Sequence, residues 1–294
     1  MKQDCLITII TPTYNRASFL PRLYESLLVQ TNCNFVWMIV DDGSTDDTSG
    51  LVKKWEREGN IDIRYIFKEN AGKMKAHNRG VRECQTELFM CLDSDDYLSE
   101  DCIEKIYLHW HDYKDNPRVS GMVAYRKMMG CTPSFFPAVE FSTLHDLHQT
   151  YIGETALAFR TDIFRRYQFP EIEGEKFIGM DIIYDKLDQE YMLAVVPEYW
   201  MICKYQEGGI TKNIKRTLIK NPKGWTLNAK QKYEIFGHSV KDRIRWMSTY
   251  ICASLFAGYG YGHIIEQSPN RMLCVMCLPI GWMQKIYNQI KARK

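Results

Sequence analysis

Leu6-Ile7-Thr8-Ile9-Ile10-Thr11-Pro12-Thr13-Tyr14-Asn15-Arg16 passes from an unbroken apolar run straight into a polar loop. Such a run, too short for a signal-peptide core, predicts a buried strand over Leu6–Thr11. Four further runs read as strands: Phe35–Asp41, Ile61–Lys68, Leu88–Leu92 and Val119–Arg126. Between the first two, Phe19, Leu20, Leu23, Leu27 and Leu28 recur at helical spacing. Leu51, Val52 and Trp55 do so after the second, behind a Ser44/Thr45/Asp46 cap. Alternating strands and helices predict an α/β fold with a mostly parallel sheet. Ligands of such sheets lie beyond the carboxyl ends of the strands, so the residues that follow each apolar run are the place to look for chemistry.

The composition is that of an ordinary globular protein: 294 residues, 45% hydrophobic, 25% charged and 13% aromatic. That excludes disordered, collagen-like and small disulfide-stapled classes. The net charge of +2 conceals an asymmetry, because residues 1–211 hold 23 Lys/Arg against 33 Asp/Glu whereas 212–294 hold 15 against 3. Ten cysteines are scattered through predicted strands and helices with no export signal ahead of them, so the cytosol is the expected compartment. Cys274-x-x-Cys277 lies in an apolar stretch without a second pair and reads as two buried thiols; His145-x-x-His148 likewise reads as structural. Prolines at 133, 137 and 170 loosen the pattern after residue 127. A helix is expected near His145–Tyr151, a strand near Thr155–Arg160, a helix over Asp181–Leu187 and a strand over Leu193–Val196. The turn to basic composition sets an expected boundary near 211, with residues 1–211 as one domain and 212–294 as a helical extension.

The strand ends carry unusual chemistry. Strand one ends in Thr11-Pro12-Thr13-Tyr14-Asn15-Arg16, strand two in Asp41-Asp42-Gly43-Ser44, strand four in Asp93-Ser94-Asp95-Asp96. Five carboxylates at one edge repel one another unless a cation and hydrogen-bond donors share the site. Mg²⁺ uses one or two carboxylates plus substrate phosphates, which Asp93-x-Asp95 could supply. The third strand leads into Glu69-Asn70-Ala71-Gly72-Lys73-Met74-Lys75-Ala76-His77-Asn78-Arg79-Gly80, a helix start with adjacent cations that favours an anionic group.

The ordered set TPTYNR, VDDGSTDDT, NAGKxxAHNRG and LDSDD resembles the family 2 glycosyltransferases, an inverting group with the nucleotide-diphospho-sugar-binding GT-A fold, over roughly residues 5–211. The segment Phe169-Pro170-Glu171-x-Glu173-Gly174-Glu175-Lys176-Phe177-Ile178 followed by Tyr184-Asp185-Lys186-Leu187 resembles the bacterial branch that builds surface polysaccharides. The resemblance implies that Thr11, Pro12 and Tyr14 line the nucleotide base and that Asp42 accepts from the uracil ring N–H, Asp41 serving as a cap. It implies Lys73 near the base or diphosphate with Lys75 as a second cation, Asp93 on the ribose and metal side, Asp95 on Mn²⁺ or Mg²⁺, and Asp96 toward the sugar or the metal's surroundings.

Inversion needs a base that takes the acceptor's proton on the face opposite the leaving diphosphate. Relatives place a carboxylate, often Glu-Asp, at a helix start well after the Asp-x-Asp; here the stretch reads Gly179-Met180-Asp181-Ile182. Met180 stands where many relatives have Glu. Asp181 is the expected base, with Glu175 in its place or impaired activity as the alternatives.

In the extension, Trp246–Ile265 is twenty uncharged positions long, yet serines, glycines and tyrosines dilute it. Ile244, Met247, Ile251 and Leu255 form one helical stripe, so an interfacial or core-docked helix is expected rather than a span. Met272–Met283 is too short to cross a bilayer. Trp246, Trp282 and the basic end Lys285–Lys294 match segments that lie on a membrane surface. No nucleic-acid-binding pattern accompanies the charge.

These readings combine into an expected metal-dependent inverting transferase on the inner membrane face, moving a sugar from a nucleotide diphosphate, UDP foremost, to a hydroxyl of a glycan or lipid-linked acceptor. The rivals are a non-catalytic nucleotide-sugar-binding subunit, which Met180 favours, and a nucleotidyltransferase, which the absence of a Gly-rich basic loop after strand one disfavours.

Overall fold

β1 (Ile7–Thr13) and β2 (Phe35–Asp41) are buried at every position and run parallel, with Ile7 opposite Phe35 and Thr13 opposite Asp41. Burial on both faces explains why each reads as a continuous apolar run. The computed structural model describes residues 5–130, 134–203 and 213–293. β3 (Asp62–Phe67) pairs parallel with β2, and β4 (Leu88–Cys91) parallel with β1 on its other side. The crossovers are α1 (Leu20–Leu28), α2 (Thr48–Glu58) and α3 (Lys73–Glu83). On one face of the sheet Tyr24 stacks on Trp55 at 4.3 Å beside the fully buried Trp37.

Beyond β4 come β5 (Tyr97–Leu98), α4 (Cys102–Tyr113), β6 (Val119–Met128), β7 (Phe141–Ser142), α5 (Leu144–Thr150), β8 (Glu154–Arg160), α6 (Thr161–Phe164), α7 (Asp181–Leu187) and β9 (Met192–Cys203). The sheet order is β3-β2-β1-β4-β8-β6-β9-β5, with β7 also on β9. Only the β3-β2-β1-β4 half and the β6–β9 pair are parallel; β8, β5 and β7 run against their neighbours. The four motif-bearing loops therefore leave one edge of the parallel half.

The remaining helices are α8 (Ile214–Lys220), α9 (Pro222–Phe236), α10 (Val240–Phe256), α11 (Tyr261–Gln267) and α12 (Arg271–Arg293). The chain divides into two compact units, Met1–Gln168 with Lys186–Tyr205, and Phe169–Asp185 with Gln206–Lys294. The expected boundary near 211 lies outside the described residues. The helical unit also takes in 169–185, a segment expected in the first domain, because that segment is tied to α9 by the hydrogen bonds described below.

Met247, Ile251, Ile264, Cys274 and Cys277 form the core of the helical unit. Cys274 and Cys277 are thus buried thiols in an apolar setting, and the Met247/Ile251 stripe of α10 docks on this core. No helix among the described residues is long and apolar enough to cross a membrane.

Candidate active site

The loops after β1, β2 and β3 are fastened to one another by the two aspartates at the end of β2. Asp41 Oδ1 accepts the Ser44 N–H at 2.7 Å and Oδ2 accepts the Tyr65 hydroxyl at 2.5 Å, which closes the 41–44 turn. Asp42 Oδ1 accepts the Ala71 N–H at 2.9 Å and an ammonium proton of Lys68, and Oδ2 accepts the Gly72 N–H at 2.7 Å. Gly43 sits at φ +84°, where an added Cβ would stand 2.8 Å from the Asn70 nitrogen. Only glycine fits so close an approach at a positive φ. Asn15, at φ +51°, accepts the Thr45 N–H at 2.8 Å, while its own N–H donates to Ser44 Oγ at 2.8 Å.

Of the three residues expected along the nucleotide base, Tyr14 alone offers an exposed side chain, at 48%. Pro12 is buried, and Thr11 is wholly buried with its hydroxyl accepting the Trp37 Nε1–H at 3.0 Å. Thr11 is therefore part of the sheet's internal hydrogen bonding. Asp42, expected to receive the uracil N–H, already holds three donors from the 68–72 loop, so about one of its roughly four lone-pair directions is left.

The turn after β4 gathers Asp93, Asp95 and Asp96, with ligand oxygens within 4.8 Å of one another. Lys73, the first residue of α3, meets Asp93 Oδ1 at 2.6 Å. Burial alone would raise the Asp93 carboxyl, but the Lys73 and Arg126 cations outweigh it and hold it below the ordinary range. Asp96 is paired with the Arg126 guanidinium, which also lies 3.8 Å from Glu154. Burial nevertheless pushes the Asp96 carboxyl up to about 7, the Asp93 and Asp95 charges adding to the effect. Two of the three aspartates are thus matched by cations, while Asp95, partly exposed, has no hydrogen-bond or ion-pair partner among the described residues. One open carboxylate with two neighbours whose charge is largely neutralised is a donor set suited to a hard divalent ion that also takes phosphate oxygens. His77, buried against the Phe89 and Phe164 rings, is pushed down to about 4 by burial and by Lys73.

In the helical unit, α9 holds the segment that carries the expected base. Glu175 is buried, its Oε1 accepting the Lys223 N–H at 2.6 Å and its Oε2 the Gly224 N–H at 2.7 Å. It satisfies the first turn of α9, a common task for a carboxylate at a helix start. Asn221 Oδ1 accepts from the Lys176 and Phe177 N–H groups at 2.9 and 3.1 Å. One helical face, Asn228, Gln231 and Lys232, then grips α7. Asn228 donates to Asp181 Oδ1 at 2.7 Å, Gln231 to the Ile182 carbonyl at 2.9 Å, and Lys232 to Asp181 Oδ2 at 3.0 Å and Asp185 Oδ2 at 2.7 Å. Burial would lower the Lys232 ammonium, but the Asp181 and Asp185 carboxylates keep it above its ordinary value. Asp181 remains 44% exposed at its side chain.

Sequence reasoning missed Arg126, Lys68, Asn228 and Lys232. Arg126 was visible as a cation closing an otherwise apolar strand, and Asn228/Lys232 as an i,i+4 pair; nothing in the sequence named their partners.

The chain is 40% identical over 101 residues to an uncharacterised glycosyltransferase of Rickettsia felis, and 36% identical over 104 residues to a chondroitin synthase of Escherichia coli. Those alignments take in 34% and 35% of this chain but only 16% and 15% of the relatives' own lengths. The crystal structure of Staphylococcus aureus TarS in complex with UDP-GlcNAc superposes with a TM-score of 0.62 at 16% identity, covering 96% of this chain and 89% of that one. At that identity the likeness is one of fold, and it is the GT-A architecture. Residues 8–136 match the family model for glycosyl transferase family 2, so this part of the chain is a domain like those of that family.

Proposed function

We propose that this protein transfers a sugar, with inversion, from a nucleotide-diphosphate donor, UDP foremost, to a hydroxyl of a glycan or lipid-linked acceptor in the making of a bacterial surface polysaccharide. The observation that carries the reading is the open Asp95 carboxylate beside two cation-paired aspartates, at the edge where Lys73 begins α3. Tyr14 takes the nucleotide base on its exposed ring, with Thr11, Pro12 and Asp42 shaping the loop beneath it. Lys73 answers the negative charge of the diphosphate, and Asp93 and Asp96 orient the donor. A divalent ion, Mn²⁺ or Mg²⁺, held by Asp95 and Asp93, would offset charge accumulating on the departing diphosphate. Asp181 takes the acceptor hydroxyl's proton as its oxygen attacks the anomeric carbon, and the bond to the diphosphate breaks in the same displacement. Asn228 and Lys232 fix that carboxylate. Glu175, with both oxygens on the α9 start, supports the segment and is left out of the chemistry.

The basic residues 212–294 favour an anionic membrane surface, and with it a place on the inner face of the cell membrane. Met180, ahead of Asp181, supports a second reading, a nucleotide-sugar-binding subunit without turnover. One experiment separates the two: a panel of UDP- and other nucleotide sugars is incubated with the protein, Mn²⁺ and mixed glycan acceptors, and release of the nucleoside diphosphate is followed with product mass. Metal-dependent UDP release with a glycosylated product supports transfer; binding without release supports the second reading.

A further inference from the structure

α12 is apolar on both of its faces. Cys274, Cys277, Gly281 and Asn288 face inward, and a Cβ at Gly281 would stand 2.5 Å from Ile251, so this side lies tight on α10. On the opposite side, Met272, Met276, Pro279, Met283, Ile286 and Ile290 follow one another at three- and four-residue steps, all exposed. The exposure is large, 75% at Met272, 60% at Met276, 57% at Met283 and 55% at Ile290. A helix facing water carries polar residues there, and helices apolar all round are normally covered. From Met272 to Ile290 the stripe runs about 27 Å, a contiguous exposed apolar surface of the kind that marks an interaction site.

The charges beside the stripe indicate what covers it. α12 contains no Asp or Glu. Lys215 lies 5.1 Å over the ring of the exposed Tyr287, and Lys291 lies 5.8 Å over the same ring. Arg216 is drawn alongside by its hydrogen bond to the Ala292 carbonyl at 2.7 Å. Apolar side chains with cations at their border match the boundary between acyl chains and anionic headgroups, where an in-plane helix sinks one face and its lysines reach phosphate. Pairing the stripe with that of a second copy would gather the same cations with no acidic residue on α12 to neutralise them.

We infer that α12 lies flat in an anionic phospholipid bilayer, with the Met272-to-Ile290 stripe among the acyl chains and Lys215 and Lys291 on lipid phosphates around Tyr287. The inference rests on the reading that residues 212–294 meet a membrane, and it adds the face, the orientation and the lipid class. The full chain is floated with vesicles of phosphatidylcholine alone and of an equal mixture with phosphatidylglycerol, beside the M276E/M283E double variant and the off-stripe control V240E. Helicity and UDP affinity are measured to verify folding, and sedimentation gives the mass in solution. The expected result is binding to the mixed vesicles that weakens with salt, falls roughly tenfold or more in M276E/M283E and persists in V240E. Undiminished binding by M276E/M283E would overturn the assigned face while leaving the membrane reading intact; no vesicle binding by the unmodified chain would remove both. A dimer that the double variant splits, with no vesicle binding, would mean that a second copy covers the stripe.

Discussion

The Asp93 carboxylate meets the Lys73 ammonium at 2.6 Å, tying the turn after β4 to the first residue of α3. That contact halves the unmatched charge of the Asp93/Asp95/Asp96 group, since Arg126 already answers Asp96. It also places a cation where α3 begins, the end of a helix that favours anions. In the proposed function that same ammonium would also answer the donor's phosphates.

Lys73→Met should therefore separate metal from donor. The aspartate cluster loses a competing cation and its net charge falls, so Mn²⁺ alone should bind as well as before or better. UDP in the presence of Mn²⁺ should bind about 10- to 100-fold more weakly, the scale of one hydrogen bond to a charged group. Calorimetry with Mn²⁺ and then with UDP reads both, and an unchanged UDP affinity would remove Lys73 from the donor site.

Asp95→Ala should abolish the metal dependence of UDP binding. Because Asp95 crowds two other carboxylates and has no partner among the described residues, its loss should leave the melting temperature level or slightly raised. A clear fall in melting temperature with intact metal-dependent binding would make Asp95 a structural residue.

Much of this architecture is legible in the sequence, for a physical reason. Strands buried on both faces show as apolar runs, and the expected starts and ends of the first four fall within two residues of β1 to β4. α4 was passed over, although Cys102, Ile103, Ile106 and Trp110 bury one helical face, because Tyr107, Leu108 and the histidines blur its period. β9 runs to Cys203, well past the expected Val196, since Pro197, Glu198 and Tyr199 break the apolar run where its pairing with β6 is irregular. At the site, the aspartates announced themselves by type and spacing. Their partners did not: Arg126 comes from β6 and Asn228 from α9, and only folding brings them to Asp96 and Asp181. In the sequence Glu175 and Asp181 both stand as candidate bases, and the difference lies in the two backbone N–H groups that Glu175 holds.

His77 should make stability depend on mildly acid pH. Burial, with Lys73 adding, pushes its imidazole down to about 4, against an ordinary value of 6.5. Between those values the unfolded chain binds a proton that the folded one refuses, so the stability present above pH 6.5 is lost as pH falls toward 4, by up to about 3 kcal/mol. In His77→Gln that component disappears. Urea unfolding at about pH 7, 6, 5 and 4, which spans the window, should show a flatter decline for the variant; parallel declines would remove His77 as the source.

The sharpest test contrasts the two acids that α9 holds. Asp181→Asn keeps the size and the neighbouring donors' reach but cannot take a proton. Transfer to acceptor should then fall by about 10²-fold or more, the usual scale of general-base catalysis, while UDP affinity stays as it was. Glu175→Gln replaces a charged acceptor at the α9 start with a neutral one that has a single acceptor oxygen, leaving either the Lys223 or the Gly224 N–H without its partner. Its cost should appear as about 1–3 kcal/mol of stability, with a much smaller loss of transfer in the molecules that remain folded. Lys232→Met completes the set by removing the cation from both Asp181 and Asp185. It should destabilise the helical unit and slow transfer through misplacement of Asp181, without the full loss seen in Asp181→Asn. Transfer rates, UDP affinity and urea midpoints for all three would be read on one acceptor. If Glu175→Gln silences transfer at unchanged stability while Asp181→Asn stays near normal, the base is Glu175, and the capping contacts seen here belong to a resting arrangement that the acceptor must break.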